Sequence, residues 1–144
     1  MHRSSVLGAS LALMVSTAWA QQVYEPPRGS PERRALMDAI RPLAESLFYP
    51  PIEFVVSDLR VSGDVAFASV IAQRPGGGMI DVANSPGWAQ GYFFPESDPT
   101  AGQALLQRSG NGWVMVYGLF GATDVWWQTP ETCATFWPVI GNVC

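Results

Sequence analysis

Asp124 stands two residues before a tryptophan pair in "TDVWWQTPETCATFWPVIGNVC", and it is the acid best placed for chemistry in this sequence. An indole beside a carboxyl withdraws water from it and raises its pKa toward that of a useful general base. Tyr92 or Tyr117 would then offer a phenol donor to a developing oxyanion. A simple lyase or isomerase using Asp124, Tyr92 and Tyr117 is one reading. The competing one, a turn or capping aspartate after Gly121, is preferred because short acids after glycine are ordinary turn residues. Glu53, Asp58, Glu96 and Asp98 add carboxylates for a glycosidase pair, which needs two acids about 5–10 Å apart across a cleft. Nothing in their spacing brings two of them together, and "PESDP" reads as a turn.

The missing residue types exclude more than the present ones suggest. The single histidine is His2, and there is no lysine. Serine–histidine triads, cysteine–histidine dyads, histidine-ligated zinc and lysine Schiff bases therefore have no residues to run on beyond the first few positions. Gly76-Gly77-Gly78 is not a phosphate loop, because no G-K-[ST] follows it. The net charge of −4 repels phosphate backbones, and no basic stripe interleaves with aromatics. No cofactor, metal or nucleic acid is expected.

Cys133 and Cys144 are the whole cysteine complement. In an exported chain they are expected to pair across a short loop. The alternative, a reactive thiol, lacks the C-x-x-C spacing or neighbouring base that would lower its pKa. The tryptophans around them have two readings as well. Trp127 and Trp137 are expected to plug the open end of a sheet. Trp126 cannot face inward beside Trp127 on one extended segment, so it is the indole expected in solvent and available to a ligand. The loop over 74–87 carries Gly76, Gly77, Gly78 and Met79, and with Trp126 it forms the expected contact surface.

These residues need elements to hold them. "MHRSSVLGASLALMVSTAWAQQ" reads as a secretory leader: His2 and Arg3 at the basic end, an apolar run over 6–17, and Ala18-Trp19-Ala20 as a cleavage site. The run is too short to span a bilayer, which takes about 20 residues. Residues 21–29, rich in proline and glycine, read as an N-terminal arm, and 30–144 as one domain. Ser30-Pro31-Glu32 starts a helix, with Leu36, Ile40, Leu43 and Leu47 at helical spacing. Arg34–Asp38 and Arg41–Glu45 sit four apart on it and read as a solvated, weakly paired face. Pro42 lies inside the pattern and is expected to kink it. Strands are expected over 52–61 and 65–74, joined by the turn "SGD". "WAQGYFF" (88–94) would be a third strand, and "QALLQRS" and "GWVMVYGLF" a closing hairpin. The small Ala66, Ala68 and Ala72 mark a face on which the helix should pack closely.

The expected fold is α+β: one kinked N-terminal helix on a curved antiparallel sheet of about five strands, with a disulfide-closed C-terminal tail. The leading helix, "LRVSGDVAFASV" as strand–turn–strand and the closing "GNGWVMVYGLFG" strand resemble small exported bacterial proteins of cystatin-like or NTF2-like α+β shape, over residues 30–123. The resemblance implies a shape and no catalytic motif. The functional expectation is a periplasmic or secreted, non-enzymatic binding or accessory domain that recognises a protein or cell-envelope component, without a transmembrane anchor. The alternative is a small-molecule or lyase/isomerase cavity of NTF2-like type.

Overall fold

The computed structural model describes residues 21–144, and the leader expected over 1–20 lies outside them. The first helix, α1 (Pro31–Phe48), starts as its sequence dictates: the Ser30 side chain accepts from the Arg33 N–H at 3.2 Å, and proline fills the first position. It buries Leu36, Met37, Ile40, Ala44, Leu47 and Phe48 along one face. α1 continues as a single helix through Pro42, which lies on its exposed side. Tyr49, at φ 64, ends it.

Four strands follow, not five. β1 (Glu53–Ser62), β2 (Val65–Gln73), β3 (Ala101–Ser109) and β4 (Gly112–Phe120) form one antiparallel sheet in sequence order, so β1 and β4 are its edges. The segment expected as a further strand is instead the short helix α2 (Pro86–Ala89) and the turn after it. Local capping overrides its aromatic content: the Ser85 hydroxyl accepts from the Trp88 N–H, and Pro86 opens the turn. Gly87 also sits where a side chain would collide with Phe93 and Leu47, so α2 is fitted tightly beneath α1.

Two register shifts, between Val56 and Asp58 and between Leu105 and Leu106, invert the side-chain alternation part-way along β1 and along the β3–β4 pair. The faces they create are unequal. Ala66, Ala68 and Ala72, with Val70, Ala104 and Leu106, lie under α1 in the main core, as the small-residue pattern implied. Phe67 and Leu105 point the other way. They are covered by the last helix, α3 (Pro130–Ile140), through Phe136, Val139 and Ile140. The tail therefore lies on the face opposite α1 rather than plugging an end of the sheet, and the molecule has three layers.

α3 starts at a capping box. Thr129 and Thr132 exchange backbone-to-side-chain hydrogen bonds at 3.2 and 3.1 Å, and Pro130 is the first helical residue. The helix then runs on through Pro138. Cys133 and Cys144 are disulfide-bonded, pinning the chain end to α3. Among the described residues no helix is long and apolar enough to cross a membrane.

Candidate functional site

The structure does not assemble the acid and phenols singled out above. Asp124 is exposed in the connection between β4 and α3. Tyr92 packs into the main core on the α1 side, where burial pushes its phenol up and a hydrogen bond with the Phe120 backbone pulls the other way. Tyr117 pairs with Leu105 in register and so stands on the opposite face. The two tyrosines are thus separated by the sheet. The four other acids are engaged locally or stand alone. Asp58 accepts from Arg60, and Glu53 from Gln73 and from the Gly76 N–H at 3.1 Å. Asp98 caps its own turn through Thr100, while Glu96 is exposed with no hydrogen-bond partner among the described residues. Among the described residues no three His, Cys, Asp or Glu side chains gather closely enough to hold a metal ion.

The aromatic tail is used mainly for packing. Trp127 lies 5.2 Å from the Phe67 ring and at right angles to Trp126, 5.5 Å away. Trp126 is half-buried, and its indole N–H donates to Gln103 at 3.4 Å. The indole left in solvent is Trp137, 57% exposed, because Phe136, Val139 and Ile140 take the inward positions of α3. Arg60 ties the end of this helix to β1, donating to the Val139 carbonyl at 2.8 Å and to Asn142 at 2.9 Å, while its guanidinium covers Phe67.

The glycine loop is a tight excursion at the end of β2. Arg74 and Gly78 bridge at 2.8 Å, and Gly76 and Gly77 adopt φ 80 and 90, a conformation that strains any residue with a Cβ. Met79 beside it is 94% exposed. The Arg74 guanidinium turns inward and donates to the carbonyls of Phe48, Tyr49 and Pro51, clamping the loop to the end of α1. Gln103, the Trp126 partner, pairs with Ser69, five residues before Arg74 along β2. At about 3.3 Å per residue the loop and Trp126 are roughly 16 Å apart along the strand, two surfaces rather than one.

What the structure brings together instead is arginine. α1 lies chiefly over β4 and leaves space beside the opposite edge strand, β1. That space is an open groove of about 630 Å³. Arg28, Arg33, Arg34 and Arg41 line one wall with Met37, and Ile52, Glu53, Phe54, Val55 and Val56 line the other. Half of the eight arginines in an acidic chain thus converge on one concavity. Residues 33, 34, 37 and 41 are spaced by four and seven and so share one stripe of α1.

Their partners differ. Arg33 donates to Glu25 at 2.8 Å and to the Pro26 carbonyl at 3.0 Å. Arg41 reaches Asp38 at 3.4 Å, donates to the Ile52 carbonyl across the groove, and stands 5.4 Å above the Phe54 ring. Arg28 and Arg34 are exposed and have no carboxylate within ion-pairing distance among the described residues. Arg34–Asp38 and Arg41–Glu45 are not within ion-pairing distance; Arg41 pairs with Asp38 at 3.4 Å instead. The start of α1, with its positive dipole end at Ser30, adds to the potential of the same wall.

A polar network holds that end of the helix in place. The Tyr24 hydroxyl donates to Glu32 at 2.8 Å, Arg108 reaches Glu32 at 3.3 Å, and Arg108 also covers Trp113 at 4.4 Å. Partial burial pushes the Tyr24 phenol up, and the hydrogen bond to Glu32 reinforces this. Tyr24 also exchanges backbone hydrogen bonds with Val61 of β1, so the N-terminal arm is stitched to the same strand that walls the groove.

On spacing alone these arginines read as a solvated face. That reading missed the site; the signal that could have found it is the stripe that Arg33, Arg34 and Arg41 share with Met37 on one face of α1. No protein family, curated protein or solved structure matches this chain.

Proposed function

We propose that the protein is an exported, non-enzymatic binding module that recognises an anionic group on a protein or cell-envelope component through the groove between α1 and β1. One observation carries this reading. Four arginines from the arm and one helix face meet in a single concavity, and two of them lack a carboxylate partner among the described residues. Arg28 and Arg34 face the same groove without a paired carboxylate, and an incoming anion would relieve their repulsion while gaining charge-assisted hydrogen bonds.

Export rests on the leader-like start and on the disulfide, a bond that persists in oxidising compartments. The glycine loop joins the proposal as a rim: Pro75 lines the groove and the Gly76 N–H is held by Glu53 of its wall. Trp126 and Met79 do not line the groove, and Trp126 lies on the opposite face of the sheet. The cystatin-like or NTF2-like resemblance enters as shape alone and specifies no ligand.

The test is calorimetric titration of the purified protein with poly-L-glutamate, and with poly-L-lysine as the opposite-charge control. Binding of the acidic polymer alone is expected, weakening as salt rises because the pairs are solvent-facing. Arg28→Glu with Arg34→Glu should lower affinity at least tenfold without altering the melting temperature, as both side chains are exposed. Equal affinity of the double variant and the unaltered protein would overturn the assignment.

A further inference from the structure

We propose that the groove receives an acidic peptide in extended conformation, which adds as a short strand to the outer edge of β1. This rests on the binding-module reading and specifies its ligand. β1 is an edge strand, and among the described residues its outer side is occupied only where Tyr24 bridges Val61, at 2.9 and 2.8 Å. Toward the other end it is open.

The direction of the open groups follows from the register. Ala72 donates its N–H to the Thr100 carbonyl, away from β1, so Phe54, which faces Ala72, exchanges no hydrogen bond with it. The N–H and C=O of Phe54 therefore point outward, and so do those of Val56 two residues on. Ile52 has the same parity, and its carbonyl is indeed reached from the groove side by Arg41. Two outward residues present two donors and two acceptors at strand spacing. A peptide backbone can satisfy all four, whereas a sugar chain or a lipid headgroup has no matching repeat.

The same register sets the ligand's side chains. Residues paired directly with Phe54 and Val56 share their face of the sheet, which is the α1 side. Those side chains enter between Arg28, Arg33, Arg34 and Arg41. The residue between them points away from α1, to the side of Val55, which is 46% exposed. The chemistry that fits is acid at every second position with an apolar residue between. The open stretch of β1 before the bulge is short, so about five residues suffice. Carboxylates suit this wall because guanidinium forks bind them in two-point fashion.

The experiment uses the whole protein and a capped peptide, Glu-Val-Glu-Val-Glu. Titration should show binding that is lost at least tenfold when the glutamate amides are N-methylated and kept when the valine amides are N-methylated. Amide exchange should slow at Phe54 and Val56 in the complex. If the peptide binds but neither methylation pattern matters and neither amide is protected, strand addition is overturned while the anionic groove stands. Binding of dextran sulfate but not of the peptide likewise overturns strand addition and leaves the groove in place. If neither probe binds, or if both bind the Arg28→Glu, Arg34→Glu variant unchanged, the groove assignment falls as well.

Discussion

Gly102→Ala is expected to damage the main core although it adds only one methyl group. Gly102 faces Phe120 across the β3–β4 pair, on the α1 side of the sheet. A Cβ built there would lie 2.5, 2.6 and 2.7 Å from three atoms of the Phe120 ring. Comfortable carbon–carbon contact begins near 3.5 Å, so the ring must retreat by about 1 Å. It has little room to do so. Phe120 is 2% exposed and is flanked by Phe48, edge-on at 5.8 Å, and by Phe54 at 6.4 Å. Overpacking of this kind costs about 1–3 kcal/mol, partly offset by the lower chain entropy of alanine in the unfolded state. For a domain of this size the loss corresponds to a fall in Tm of roughly 3–10 °C. Urea unfolding followed by tryptophan fluorescence reads the change, and Gly102→Ala combined with Phe120→Leu should recover part of it because the smaller side chain leaves room. A single variant within about 0.5 kcal/mol of the parent, or a double variant showing simple additivity, would refute the reasoning. Phe54 forms part of the groove floor, so the displaced ring would also be felt where the ligand is proposed to sit.

Two other outcomes follow from packing and protonation. Cys133→Ala with Cys144→Ala should lower stability by about 2–3 kcal/mol through the entropy of an eleven-residue closure, read as a Tm difference that reductant produces in the parent and not in the variant; equal melting of oxidised and reduced parent would refute it. Tyr92 holds its proton more tightly when folded than its ordinary value of 10.0, so the folded state binds more protons than the unfolded one in alkali. Stability is therefore complete below about pH 10 and is lost above it, and Tyr92→Phe should flatten that alkaline decline in melts between pH 9 and 11. An unchanged slope in the variant would show that burial of this phenol is not what couples folding to pH.

Much of the architecture was legible because it rested on local rules. Ser30-Pro31 and Thr129-Pro130 each announce a helix by a side-chain oxygen and a residue with no N–H to satisfy, and both helices begin there. The alanines of β2 correctly marked the surface that α1 approaches. The error at 88–94 came from weighing aromatic content above the Ser85-Pro86 cap that precedes it. The misplacement of the tail had a different origin. Phe67 and Leu105 alternate with the α1-facing residues, so a second cover was required, but the two register shifts that sort the faces leave no sequence mark. The groove was hidden for a related reason: pairing arginines with acids four residues away is a rule for isolated helices. Here Ile52 and Phe54 of another element compete for Arg41.

The sheet acts as a partition between two hydrophobic compartments of very different size, the smaller one resting on Phe67 and Leu105 beneath α3. Because they meet through only one layer of backbone, the smaller compartment has α3 as its cover, and losing that helix's inward side chains would bare Phe67 and Leu105 without touching the α1 side. Two ties hold that cover in place: Arg60 of β1 donates to the Val139 carbonyl, and the sulfur link fastens the chain end to the helix itself.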